Sequence, residues 1–243
     1  MSTEISAKRF VERLKSHLSP VELKKNQQYF KTGAGDYGEG DVFMGVRMGQ
    51  IFALAKEFID MPPKEIEELL ESGVHEVRVG AVSIMDWQAR SKKTSESRRK
   101  ELYSLYIRRH DRINSWDLVD RSAPYVVGGY LSDKPRNILY KLARSKNTWE
   151  RRTAIVSTYY FIRQGDVDDT FGIAEILVND DHDLINKAVG GWIREAGKRD
   201  RQKLLNFLDK HAATMPRVAL RYAIEHLDKK QRGHYLSMKK AGQ

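Results

Sequence analysis

Apolar residues recur at helical spacing in almost every stretch longer than ten residues, as in Trp149, Ile155, Tyr159 and Ile162, and alternating runs are scarce. Such spacing gathers apolar side chains on one face of a helix, so the chain is expected to be all-helical. Ser19-Pro20-Val21-Glu22 reads as a helix start, with a capping serine, a proline at the first helical position and an acid three residues after the cap. Pro62-Pro63-Lys64-Glu65 carries a second start signal of the same kind. The segment nearest to a strand is Tyr125-Val126-Val127-Gly128-Gly129-Tyr130. It follows a helix-like run without an intervening turn, so it is read as helical despite its two glycines.

Five short segments are self-similar: Arg78-Val79-Gly80-Ala81-Val82, Asp120-Arg121-Ser122-Ala123, Arg152-Thr153-Ala154-Ile155-Val156, Lys187-Ala188-Val189-Gly190 and Arg221-Tyr222-Ala223-Ile224. Each sets a charged residue before small and apolar ones, at offsets of 42, 32, 35 and 34 residues. Each interval holds two helices and their turns, somewhat below the usual HEAT period of about 40–47 residues. The expected fold is therefore all-α, a superhelical stack of antiparallel helix pairs (a HEAT-like or ARM-like solenoid), running as one domain over residues 1–243. In such a stack the equivalent helices line one surface, often the binding surface. Arg78, Asp120, Arg152, Lys187 and Arg221 are then expected along a concave groove, with Asp120 as one acid among four cations. Ion pairing with Arg152 or Arg121 would explain it, and so would chemistry; spacing alone leaves both open.

Charge sharpens the picture. The 243 residues carry 43 Lys and Arg against 33 Asp and Glu, a net charge of +10 and a pI near 9.6. Besides the groove line, basic clusters stand at Arg90, Lys92 and Lys93, at Arg98, Arg99 and Lys100, at Arg108, Arg109 and Arg112, and at Lys229, Lys230 and Arg232. A basic concave array of this kind is a natural duplex binder, because neutralising phosphates releases counterions. The absence of cysteine excludes a disulfide framework, a zinc-thiolate site, an iron–sulfur cluster and a cysteine nucleophile. No stretch approaches the roughly 18 apolar residues of a membrane span, and no helix has the character of an interfacial anchor, so a soluble cytoplasmic protein is expected.

Two weaker motifs are set aside. Gly33-Ala34-Gly35-Asp36-Tyr37-Gly38 matches G-x-G-x-x-G but follows a helical segment, and Asp36, Glu39 and Asp41 would repel a pyrophosphate; it is read as a loop. Asp180-Asp181-His182-Asp183 precedes an apolar-periodic segment and is read as a helix cap, with no metal or cofactor expected.

Chemistry concentrates in Asn114-Ser115-Trp116-Asp117-Leu118-Val119-Asp120, where Trp116 and Asp120, four apart, share a helix face and Asp117 is three from Asp120. Trp149 and Arg152 follow at spacing three, and Trp192 later. A tryptophan at helical spacing is most often core, but two of them opening successive repeats beside charges favour a site.

Trp116-Asp117-Leu118-Val119-Asp120, Trp149-Glu150-Arg151-Arg152-Thr153-Ala154-Ile155, Lys187-Ala188-Val189-Gly190 with Arg194-Glu195, and Met215-Pro216-Arg217 through Arg221-Tyr222-Ala223 together resemble the AlkD-type DNA alkylation repair glycosylases. The resemblance extends to Phe43-Met44-Gly45-Val46-Arg47 and His75-Glu76-Val77-Arg78, so it spans nearly the whole chain. It implies a HEAT-like solenoid that grips duplex DNA and hydrolyses the N-glycosidic bond of positively charged N3- and N7-alkylated purines, as a monomer, without metal or cofactor and without flipping the base into a pocket. Carried over by position, Asp120 matches the catalytic carboxylate, Trp116 the aromatic against the lesion deoxyribose, and Arg152 a phosphate-gripping arginine. Tyr29, Arg47, Lys56, Arg78, Asp117, Trp149, Lys187, Trp192 and Arg221 are the expected DNA contacts. Basic neighbours would keep Asp120 ionised.

The sequence departs from that pattern at Gly191, where the family has a second site tryptophan; Trp192 comes one residue later, about 100° round the helix. Phe52 stands where the family has an arginine and Gly49 where it has a proline, while Lys56 remains. These departures keep two alternatives in view: a relative that binds DNA without excising bases, and a protein-binding HEAT scaffold.

Overall fold

A computed structural model of the chain describes residues 5–30, 32–33 and 38–238. Two compact units result, Met1–Tyr130 and Leu131–Gln243. Both are helical, and among the described residues the only strand-like pairing is an isolated parallel bridge between Val42 and Val74.

The first unit contains α1 (Ala7–Lys15), α2 (Pro20–Tyr29), α3 (Met48–Glu57), α4 (Pro63–Leu70), α5 (His75–Arg90), α6 (Glu96–Arg108) and α7 (Trp116–Ala123). The start signals act as expected. Ser19 caps α2 by accepting from the Glu22 amide at 3.3 Å, and Pro62 precedes an α4 that opens on Pro63. At the centre lies α5, packed on α3, α4 and α7 and buried at every one of its 16 residues except Trp87 and Arg90. A helix enclosed on all sides must satisfy its own polar side chains, because an unpaired buried charge costs several kcal/mol. The partners of His75, Glu76, Arg78 and Asp86 are consequently what shape the surroundings of α7.

Beyond Ala123 the helix continues as a π-helical turn, Pro124–Gly128, so the Tyr125–Tyr130 segment opens helically as expected. Proline supplies the reason. Pro124 has no N–H to give to the carbonyl of Asp120 four residues back, and the chain widens until Gly129 donates to the Pro124 carbonyl at 3.0 Å.

The second unit contains α8 (Asn137–Ala143), α9 (Thr148–Ser157), α10 (Tyr159–Arg163), α11 (Asp168–Leu177), α12 (Asp183–Gly197), α13 (Arg201–His211), α14 (Arg217–Ala223) and α15 (Lys229–Ser237). Here α12 is central, packed on α9, α11, α13 and α14. Gly190 makes the α14 contact possible, since a Cβ there would lie 2.3 Å from the Ala219 carbonyl oxygen. The cap expected near Asp180 forms, with His182 as the capping residue: its Nδ1 accepts from the Leu184 amide at 3.2 Å.

The inferred repeat register is visible in the helices. Arg78 is the fourth residue of α5, and Asp120, Arg152, Lys187 and Arg221 are each the fifth residue of α7, α9, α12 and α14. Their exposure differs sharply all the same. Arg78 and Arg152 are buried, Asp120 and Lys187 are half-buried, and Arg221 is exposed.

Candidate active site

Helix α7 presents Trp116, Asp117 and Asp120 to a cavity of about 410 Å³, as the spacing of four between Trp116 and Asp120 requires. The remaining walls come from α2 and the residue after it (Asn26, Tyr29, Phe30), from α3 (Met48, Phe52), from Val79 of α5 and from Arg121. Aromatic rings dominate. Phe30 stacks on Trp116 with centroids 5.7 Å apart and on Phe43 at 5.1 Å, and Tyr29 meets the edge of Trp116 at 5.9 Å.

Behind this column stands His75, fully buried, its ring 4.8 Å from both Phe30 and Phe43. Its Nε2 lies 2.8 Å from Asp117 Oδ2, and its Nδ1 is 3.9 Å from Asp41 Oδ2. The other Asp41 oxygen accepts from Arg78 Nη2 at 2.8 Å, while Arg78 Nη1 donates to the Ser72 carbonyl at 2.9 Å. Arg78, expected as a DNA contact, is only 4% exposed and is thus held inside the fold by Asp41 and Ser72. Next to it on α5, buried Glu76 accepts from the amides of Met44 (3.0 Å), Gly45 (2.9 Å) and Val46 (3.4 Å) and from Asn26 Nδ2 (3.1 Å). One carboxylate thereby fixes both the segment before α3 and the α2 wall of the cavity. Gly45 is required there: its φ is +82°, and a Cβ would lie 2.4 Å from the Ser19 carbonyl oxygen.

The opposite wall is built around Arg121. Its guanidinium carbon sits 4.5 Å from the Phe52 ring centroid and 5.2 Å from that of Trp87, Nε donates to Ser83 Oγ at 3.2 Å, and Nη1 is 3.4 Å from Asp86. Asp86 is fully buried and accepts from Arg90 Nε at 2.8 Å through both oxygens. Burial raises the Asp86 carboxyl pKa above its usual range despite the two arginines, and burial also lowers that of Arg121. At position 52, then, a ring carrying a stacked guanidinium faces the cavity.

Other expected contacts in this unit lie on the surface. Tyr29 is 65% exposed. Arg47 is exposed and 3.2 Å from Glu22, and the Lys56 ammonium lies 5.4 Å from the Trp87 ring centroid. Of the basic clusters, Lys92, Lys93, Lys100, Lys229, Lys230 and Arg232 are exposed. Several arginines instead hold the fold together: Arg99 donates to the Ala89 and Ser91 carbonyls, Arg112 to those of Leu70, Glu71 and Ser72, and Arg108 and Arg109 pair with Glu67. Residues 34–37 of the glycine-rich loop lie outside the described residues.

In the second unit, Trp149 opens α9 and meets the edge of His182 at 6.3 Å. Arg152 is 8% exposed and donates through Nη1 to the Leu184 carbonyl at 2.6 Å, tying α9 to the first turn of α12. Lys187 pairs with Asp183 at 2.6 Å. Trp192 stacks on Tyr159 with centroids 5.5 Å apart, while a Cβ on Gly191 would meet nothing within 4 Å. Asp180, one of the acids set aside as a cap, binds Arg151 through both oxygens at 2.6 and 3.2 Å.

Phe30, Phe43, His75 and Glu76 as cavity builders, and Arg121 as a wall, were missed as individual site residues. The available signals were the conjunction of Phe43-Met44-Gly45 with His75-Glu76 and the position of Arg121 directly after Asp120.

The family model for DNA alkylation repair enzymes matches residues 10–227, and the chain belongs to that family. Among solved structures, it shares its fold with a protein from Enterococcus faecalis described as a predicted DNA alkylation repair enzyme, at a TM-score of 0.68 and 18% identity over 88% of this chain and 98% of that one. No curated protein matches the sequence. No helix among the described residues is long and apolar enough to cross a membrane.

Proposed function

We propose that the protein is a DNA N-glycosylase of base excision repair, acting as a cytoplasmic monomer on positively charged alkylated purines of the 3-methyladenine and 7-methylguanine type in duplex DNA. The observation that carries this reading is the placement of Asp120 beside Trp116 in one cavity of a family member.

The chemistry needs little more. An alkylated purine already carries a positive charge, so the bond from C1′ to the ring nitrogen breaks with its electron pair going to the base, and no strong general acid is required. Charge then develops on the sugar, where an ionised Asp120 stabilises it and orients the water that attacks C1′, the extra proton of that water passing to solvent to leave the C1′ hydroxyl. The face of Trp116 adds attraction for a cationic sugar, about 0.5–2 kcal/mol by analogy with cation–π pairs. Arg152 and the surface cations would hold phosphates, and Arg152→Ala is expected to lower the slope of log affinity against log salt by about one.

Base release from duplex DNA carrying 7-methylguanine, compared with the Asp120→Asn variant at saturating protein, tests the assignment. Release by the unmodified protein and its loss in a variant that still binds supports it. Binding without release from 7-methylguanine or 3-methyladenine duplexes supports a second reading, a DNA-binding member without excision. That reading is favoured by one observation: position 191 is a glycine with no side chain to offer, and Trp192 is stacked on Tyr159.

A further inference from the structure

Arg90, the last residue of α5, is fixed from two sides. Its guanidinium carbon lies 3.7 Å from the centroid of the Tyr125 ring, and its Nε donates to both oxygens of buried Asp86 at 2.8 Å. The side chain is nevertheless 38% exposed, and among the described residues nothing accepts from Nη1 or Nη2. Arginines that serve the fold spend those terminal nitrogens inside it. Arg78 gives them to Asp41 and the Ser72 carbonyl, and Arg151 gives them to Asp180 and the carbonyls of Ser145 and Lys146. Arg90 instead reaches its carboxylate through the inner nitrogen, which leaves the two-pronged edge of the guanidinium for an acceptor outside the chain.

The surroundings define that acceptor. Asp86 also faces Arg121 at 3.4 Å, and Arg121 rests on Phe52 at 4.5 Å and on Trp87 at 5.2 Å. The exposed Lys56 ammonium lies 5.4 Å from the same Trp87 ring and has no ion-pair partner among the described residues. Three cations thus stand on three rings around one buried acid, so this part of α3, α5 and α7 carries an excess of positive charge. Two cations without acidic partners suit a polymer of anions better than one small anion. Stacking occupies the flat face of the Arg90 guanidinium and leaves its N–H edge available, and the Asp86 bond removes side-chain freedom that binding would otherwise have to remove. A phosphodiester, with two unesterified oxygens, matches a donor pair held in this way.

We propose that Arg90 binds duplex DNA by gripping one backbone phosphodiester through Nη1 and Nη2, with Tyr125 and Asp86 as positioning residues that hold the guanidinium in place. The contact depends neither on base sequence nor on a lesion. It rests on the proposed function for its partner, duplex DNA, but requires no bond cleavage.

Binding of an undamaged duplex, followed between about 50 and 200 mM salt, tests the charge. Arg90→Ala should bind about tenfold more weakly at the low end and lower the slope of log affinity against log salt by about one. Duplexes in which single phosphates are replaced, one at a time, by uncharged methylphosphonates test the contact itself. At one position the replacement should weaken the unmodified protein about tenfold and Arg90→Ala not at all, while at other contacted positions the two losses add. A variant that is only destabilised has no reason to depart from additivity at a single phosphate. Arg90→Lys keeps a cation beside Asp86 without the fork, and should keep the slope while showing a smaller penalty than the original protein at that one phosphate; it decides the matter if Arg90→Ala does not fold. Unchanged slope and affinity in Arg90→Ala, losses that add at every position, or a lysine variant indistinguishable from the original across the scan would each overturn the proposal. The expected binding effects with no base released from a 7-methylguanine duplex would remove the glycosylase reading and leave Arg90 its role. Base release with additive losses throughout would do the reverse, and no duplex binding at all would overturn both.

Discussion

His75 on α5 and Asp117 on α7 meet at 2.8 Å between Nε2 and Oδ2, and the same imidazole lies against Phe30, on which Trp116 stacks. This hydrogen bond between α5 and α7 also sets the orientation of a cavity carboxylate. His75 is fully buried, so its ring nitrogens depend on protein partners such as Asp117 rather than on water.

His75→Leu keeps apolar volume between Phe30 and Phe43 but removes the ring nitrogens from Asp117 and Asp41. Urea unfolding should show a loss of about 1–3 kcal/mol, the cost of leaving a buried polar group unpaired. An unchanged midpoint with an unchanged slope would mean that this bond contributes nothing to stability.

Alkaline pH should unfold the second unit through two tyrosines. Tyr140 donates to Asp169 at 2.8 Å and Tyr235 to Asp209 at 2.9 Å; burial first, then these carboxylates, push each phenol up to about 12 from an ordinary value near 10. The folded state therefore holds these protons more tightly than the unfolded chain. Their contribution is fully present below about pH 10 and disappears as pH rises through about 12. Thermal unfolding followed from pH 9 to 12 should steepen in that window, and a Tyr140→Phe, Tyr235→Phe double variant should flatten it. A profile identical in the two proteins would assign the alkaline transition elsewhere.

Phe52→Arg should harm the protein even though arginine is the residue the resemblance leads one to expect there. The Arg121 guanidinium rests 4.5 Å from the Phe52 centroid, so a second guanidinium would replace a cation–π contact with like-charge repulsion beside buried Asp86. A loss of about 1–3 kcal/mol in urea unfolding is expected. Phe52→Tyr, which keeps the ring, should stay within about 0.5 kcal/mol of the original. Arginine tolerated at no cost would show that the Arg121 stack is incidental.

How far these relationships were legible in the sequence depends on how local they are. Ser19 and Pro63 announce their helices through backbone chemistry confined to one turn, and Trp116 and Asp120 share a face because they are four apart. The repeat register survived for the same reason, since a charged residue followed by small apolar ones marks one turn of one helix. Exposure was not legible. Arg78 and Arg221 stand at nearly equivalent helix positions, yet Arg78 is buried by Asp41, 37 residues away in sequence, and Arg221 is exposed. The same holds for Arg99 and Arg112, whose charge reads as a phosphate footprint but is directed at backbone carbonyls. The cavity needed Phe30, His75 and Arg121 brought together from three helical regions, and no spacing rule links them.

The resemblance leads one to expect a tryptophan where this chain has Gly191, so substitutions there test whether that departure affects activity. Gly191 lies inside α12, where glycine costs about 0.5–1 kcal/mol relative to alanine, and a Cβ added there would meet nothing within 4 Å. Gly191→Ala should therefore raise stability by about that amount in urea unfolding. Gly191→Trp starts without a clash at its Cβ, which would meet nothing within 4 Å, and urea unfolding should first show that the variant folds. If an aromatic face at 191 stabilises the cationic sugar as Trp116 is proposed to do, base release from a 7-methylguanine duplex should rise at least about tenfold, the effect of roughly 1.4 kcal/mol at the transition state. A folded Gly191→Trp protein with unchanged release would show that position 191 does not limit the reaction. If the unmodified protein releases nothing and Gly191→Trp restores release, the glycine itself accounts for the loss of chemistry in an otherwise intact site.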